Sequence, residues 1–261
     1  MSVLLTVLLA AGAYDDTFER ATEAYRAGEY TVASASLEQL VDQGVVDASV
    51  FFNLGNVYYR QGLLASAIAS YERALQVEPG MPEAIENLNA SIRQTQRSLS
   101  KPHPPDWEQS LLFWHYNLRR ETSLWVGVVF WFALWGILAL RQFRPYPFTR
   151  RAAIVAAVGA LLFGASWWAK STPTPLAVAA SHRAPVHFGM SENEAVRFEL
   201  YEGDRVAVDR REAGWARVET AGGERGWTRE DHLLFVGPPY EPLRGAESDQ
   251  LAAPSSLGYL D

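Results

Sequence analysis

Two tyrosine–arginine pairs, Tyr25-Arg26 and Tyr59-Arg60, stand 34 residues apart, and Phe18 and Phe52 keep the same offset. An arginine fork grips a carboxylate through two parallel hydrogen bonds, a tyrosine ring supplies apolar area with a polar tip, and an asparagine can bond a peptide backbone on both its edges. Phe52, Asn56, Tyr59 and Arg60, joined by Tyr25 and Arg26 one period earlier, therefore form a candidate peptide clamp. In the alternative reading Phe18 and Phe52 pack between helices and both arginines are solvated.

No other constellation carries chemistry. The five histidines (His103, His115, His182, His187 and His232) form neither HExxH nor a His-x-His pair, and the absence of cysteine rules out thiolate metal sites, iron–sulfur ligation and disulfides. Gly222-Gly223 runs into Glu and Arg instead of Gly-Lys-Ser, so no phosphate loop is present and no nucleotide is expected. Asp15-Asp16 and Glu83/Glu86 suit the positive end of a helix better than paired acid–base work. The expectation is a non-enzyme with no cofactor and no metal.

A clamp repeated at 34 residues needs elements repeated at 34 residues. The offset also links Gly28 to Gly62 and Ala33 to Ala67, and the second copy carries Phe51, Leu54, Gly55, Tyr58, Ala67, Tyr71, Ala74 and Pro79. Small residues sit where two helices of a hairpin cross closely, large ones fill the space between hairpins, and proline ends the second helix. Both period and residues resemble the tetratricopeptide repeat, in which the first helix of each hairpin lines a concave groove. The first copy is weaker, with Ala21 in the glycine slot and Leu37 in the aromatic one. A third survives as a capping helix over about 82–100, with Ile85, Leu88 and Ile92 on one face. The repeat domain is expected over 14–101, helped by the cap or the membrane because arrays normally need about three units.

Charge is unevenly spread. The chain of 261 residues has a net charge of −7: residues 14–118 contribute −7, 119–170 contribute +6 and 171–261 contribute −6. Acidic outer parts argue against nucleic acid, whose phosphates would repel them.

The basic middle contains two apolar runs, 122–140 and 152–169, each long enough at about 1.5 Å per residue to span the hydrocarbon of a bilayer. Trp167-Trp168 before Lys170 suits an interfacial aromatic pair with a snorkelling lysine; a buried soluble helix is the competing reading of the second run. The loop between them, 141–151, holds four arginines and is expected in the cytoplasm, which puts both soluble parts on the other side. Residues 1–13 read as a signal peptide with a small-x-small site at Ala11-Gly12-Ala13; a mis-set start, an uncleaved anchor and a plain helix start compete with it. Residues 102–121 read as a proline break followed by an amphipathic segment, Trp107, Leu111, Leu112, Trp114 and Leu118, lying on the membrane or capping the array.

After a linker at 170–175, residues 176–237 show short alternating runs divided by turns at Gly203, Gly214 and Gly222-Gly223. With Gly214-Trp215 and Gly226-Trp227 they resemble the bacterial SH3-like domain, a small all-β barrel. Trp215 and Trp227 are its candidate ligand surface, or buried structural tryptophans. Residues 238–261, including the PxxP string at 239–242, are expected to be a disordered tail.

The fold class is thus multidomain: all-α tetratricopeptide hairpins, a two-helix transmembrane hairpin and an SH3-like barrel. That order resembles the BatE family of aerotolerance-operon proteins. The resemblance implies a non-catalytic scaffold, two-pass in the cytoplasmic (inner) membrane with periplasmic or extracytoplasmic termini. It also implies protein partners of the von Willebrand factor A type and a MoxR-type ATPase, in an envelope complex for stress or oxygen tolerance. The alternative is an envelope protein that senses the cell wall by holding peptidoglycan on its SH3-like domain.

Overall fold

The computed structural model describes residues 2–102, 110–143, 146, 148–170, 175–240 and 243, with side chains from Tyr14 onward. Trp107, Arg144, the linker at 171–174 and most of the tail lie outside the described residues. The chain divides into two compact units, one of the repeat helices with the C-terminal sheet, the other of the two apolar helices.

The repeat helices are α1 (Ser2–Ala27), α2 (Tyr30–Asp42), α3 (Ala48–Gln61), α4 (Leu64–Val77) and α5 (Pro82–Ile92). Helix α1 runs unbroken through the small-x-small site. Gly28 and Gly62 end α1 and α3 in the left-handed region, at φ of 80° and 81°. Their bonding matches: the amides of Gly28 and Glu29 reach the carbonyls of Tyr25 and Ala24, and those of Gly62 and Leu63 reach Tyr59 and Tyr58. Such a paired closure satisfies the orphan carbonyls of a helix end and needs a residue without a Cβ penalty, so the glycine spacing fixes the hairpin spacing. Asp47 starts α3 by accepting from the amides of Ser49 (2.8 Å) and Val50 (3.2 Å).

Ala33 and Ala67, one period apart, are fully buried, as are Phe51, Val57 and Ile68 to within a percent. Helix α5 is shorter than the expected 82–100, because the hydroxyls of Thr95 and Ser98 capture the carbonyl of Ile92 and turn the chain.

Seven strands follow: β1 (Leu176–Ala179), β2 (Ala184–His187), β3 (Val196–Leu200), β4 (Arg205–Glu212), β5 (Trp215–Glu219), β6 (Arg225–Arg229) and β7 (Leu233–Phe235). All pairings are antiparallel, in the order β3-β2-β6-β5-β4-β1-β7. The expected barrel is therefore corrected to an open sheet: among the described residues β3 pairs only with β2 and β7 only with β1, so no ladder closes the ends. Its core is small and aliphatic, built on Ala177, Val186, Leu200, Val206 and Val218.

Repeat helices and sheet share a charged interface with a buried centre. Glu72 of α4 is 2% exposed and Arg205 of β4 is 8% exposed; their ion pair measures 2.8 Å. Lys101 Nζ holds the second Glu72 oxygen at 2.9 Å, and Arg205 also donates to the carbonyl of Leu99. Beside them the buried Arg73 donates to the carbonyl of Phe235 at 2.7 Å, and Asp204 takes hydrogen bonds from Arg97 and from the amide of Tyr201. A further correction concerns the start of the tail. Tyr240 lays its ring 5.0 Å from Phe51 with the Arg73 guanidinium 5.6 Å away, and the buried Leu243 accepts a hydrogen bond from Ser66. These two residues belong to the folded unit.

The second unit consists of a short helix α6 (Phe113–Asn117) and the long helices α7 (Arg120–Phe143) and α8 (Thr149–Ala169). Of the expected amphipathic segment, Leu111 is exposed while Trp114 packs toward Phe163. Both long helices are long and apolar enough to cross a membrane, and most of their surface is exposed. They meet through a small residue: a Cβ on Gly159 would lie 2.6 Å from the Phe130 ring, which stacks on Phe163 at 5.9 Å. A glycine at the contact lets two helices approach closely. Lys170 ties the other ends together by donating to Leu118 and Ser123.

Candidate functional site

A groove of about 310 Å³ opens on the repeat helices, lined by Tyr25 of α1, Asn56, Tyr59 and Arg60 of α3, Tyr71 of α4, and Asn87 and Ala90 of α5. Asn56 sits at its centre. Its Oδ1 accepts from Tyr71 Oη (2.9 Å) and from Asn87 Nδ2 (2.8 Å), so all its observed bonds fall on one edge of the amide. Among the described residues its Nδ2 has no acceptor. Burial pushes the Tyr71 hydroxyl well above the usual phenol range, which keeps it a neutral donor to Asn56 at any physiological pH.

At the mouth, Arg60 Nε donates to Tyr25 Oη at 3.3 Å, and Gln94 Nε2 bonds Tyr59 Oη. The side chain of Arg60 is exposed and makes that bond through Nε, so its terminal amines remain available to an anion. The surface thus combines one cation, two amides and three phenolic rings. It can hold an extended peptide through backbone bonds and ring contacts, and it contains no nucleophile–base pair.

Tyr25, Asn56, Tyr59 and Arg60 are brought together as the spacing predicts. Arg26 is not: it is exposed and lies outside the groove lining, although Arg60, one period later, is part of it. Phe52 is half-buried with its ring 6.0 Å from Tyr71, in the packing role. Sequence reasoning missed Asn87 and gave Tyr71 only a filling role. The repeat carried no signal for Asn87, since Asn53, one period before it, lies outside this groove.

Gly55 explains how the groove is held open. A Cβ there would come 2.5 Å from the Tyr71 ring, so α3 and α4 approach through the missing side chain and Tyr71 reaches past it to Asn56. Gly55→Val is expected to cost about 1–3 kcal/mol by overpacking. It should also displace Tyr71; a thermal melt and a partner-binding assay on the same variant would both fall.

On the sheet, Trp215 follows the Gly214 turn and is 7% exposed, its ring edge-on to His187 at 5.9 Å. Of its two readings, ligand surface or buried structural tryptophan, this burial fits the second. Trp227 is half-buried with the Arg217 guanidinium 5.9 Å from its ring. A two-tryptophan platform is not formed.

Residues 18–82 match the family model described as Tetratricopeptide repeat. Comparison with curated proteins finds no match. The match supports a tetratricopeptide reading of residues 18–82, a class of repeat that generally serves protein–protein interaction.

Proposed function

We propose that the chain is a non-catalytic, membrane-anchored scaffold that takes a protein partner into the groove around Asn56, Tyr59 and Arg60. The carrying observation is that groove: seven residues from four helices converge on it, and the central amide keeps its donor edge uncommitted. The two long apolar helices support the anchoring. Because residues before and after them fold into one unit, an even number of crossings fits and a single crossing does not. The arginine-rich bend then faces the cytoplasm, with the folded unit periplasmic or extracytoplasmic. The order of parts supports a BatE-like role beside von Willebrand factor A-type proteins and a MoxR-type ATPase in stress or oxygen tolerance.

The test is recovery of such partners from detergent extracts of the full chain. Tyr59→Ala combined with Arg60→Ala should lower recovery about tenfold, since aromatic and arginine anchors carry most interface energy. Unchanged recovery would sink the groove as the binding surface. Binding of peptidoglycan by the sheet has no comparable support, with Trp215 buried.

A further inference from the structure

The bend between α7 and α8 holds a concave apolar site that peptide binding does not use. A cavity of about 530 Å³ is walled there by Ile137, Leu140 and Phe143 of α7 and by Phe148 and Ala152 on the other side. That volume lies within the roughly 300–1,000 Å³ typical of built ligand pockets. Its rim is ordered by local bonds: Thr149 is buried and donates through Oγ1 to the carbonyl of Tyr146 at 2.6 Å, and the Tyr146 and Phe148 rings stack at 5.7 Å.

Three arginines stand at the same helix ends, adjacent in sequence to the lining residues Leu140, Thr149 and Ala152. Arg141 closes α7, and Arg150 and Arg151 open α8; all three are exposed. The single acidic residue of 119–170 is Glu121, in the first turn of α7. Some 20 residues of helix, about 30 Å, separate it from the bend. The three guanidinium groups therefore have no carboxylate within the hairpin's own bend.

We propose that this site holds an anionic phospholipid, with an acyl chain in the cavity and the phosphate on Arg141, Arg150 and Arg151. Basic pockets between helices at the cytoplasmic face suit such headgroups, and the arginine fork matches phosphate oxygens. The Tyr146 hydroxyl, on an exposed side chain at the rim, can add a donor. The proposal rests on the membrane-hairpin reading.

The experiment places the full chain in nanodiscs of phosphatidylcholine doped with phosphatidylglycerol and counts co-purifying lipid by native mass spectrometry. Phosphatidylglycerol should be retained over phosphatidylcholine, and retention should fall roughly fivefold for each charge removed in R141Q, R150Q and R151Q. Ala152→Phe, which fills the cavity and leaves every charge in place, should also lose retention. Equal retention of both lipids, no response to the triple variant, or full retention by Ala152→Phe would overturn the site. A chain stripped from membranes by alkaline carbonate would overturn the anchoring and the site together; a firmly embedded chain without lipid preference overturns the site alone.

Discussion

Arg205→Ala is expected to lower the unfolding free energy of the detergent-solubilised chain by about 3–5 kcal/mol, the range for removing one member of a buried ion pair. Glu72 would be left 2% exposed with Lys101 as its remaining cation, and the Leu99 carbonyl would lose its donor. Coulomb attraction alone does not set this magnitude; the cost lies in a buried carboxylate oxygen left without its donor. The control is Glu72→Leu with Arg205→Met, which exchanges the pair for apolar volume and should recover most of the loss, since Lys101 can turn to water. Denaturant melts of the three proteins decide it: a double variant as unstable as the single one would contradict the assignment of the cost to desolvation.

Phe51→Ala should cost a similar amount, about 3–5 kcal/mol, through the cavity left by a fully buried ring. Its further effect is local. Phe51 is the surface on which Tyr240 rests, with Arg73 beside both rings. Losing it removes the anchor of the C-terminal segment, so limited proteolysis should cut near residue 240 in the variant under conditions that spare the parent chain. Equal cleavage of both would show that Leu243 and Ser66 suffice to hold the segment.

These two positions also mark the limit of what could be read from the chain. The repeat was legible because its constraints are local and periodic: Gly28 and Gly62 close helices alike, and Ala33 and Ala67 fill equivalent crossings. Much of the groove was legible for the same reason, with Tyr25 and Tyr59 a period apart. Arg26 failed because the groove opens against α4 and α5, where Arg60 of α3 reaches it and the equivalent residue of α1 does not. The contact of sheet and repeat left no local mark, since Glu72 and Arg205 are 133 residues apart and neither disturbs a pattern. A charged pair inside helix α4 reads as a solvated face, yet Glu72 and Arg73 are both 2% exposed. The open sheet was misread as a barrel because turns and alternation give strands but not the order in which they pair.

The most direct test of the central claim uses the natural lack of cysteine. Glu86 on α5, Asn193 between β2 and β3, and Arg150 at the bend are all exposed, and each can carry a single cysteine. With a small membrane-impermeant maleimide on intact cells, positions 86 and 193 should label alike, and position 150 only after the membrane is opened. Labelling of position 150 in intact cells with protection of the other two, or opposite behaviour of 86 and 193, would contradict a hairpin that holds one folded unit outside the cytoplasm.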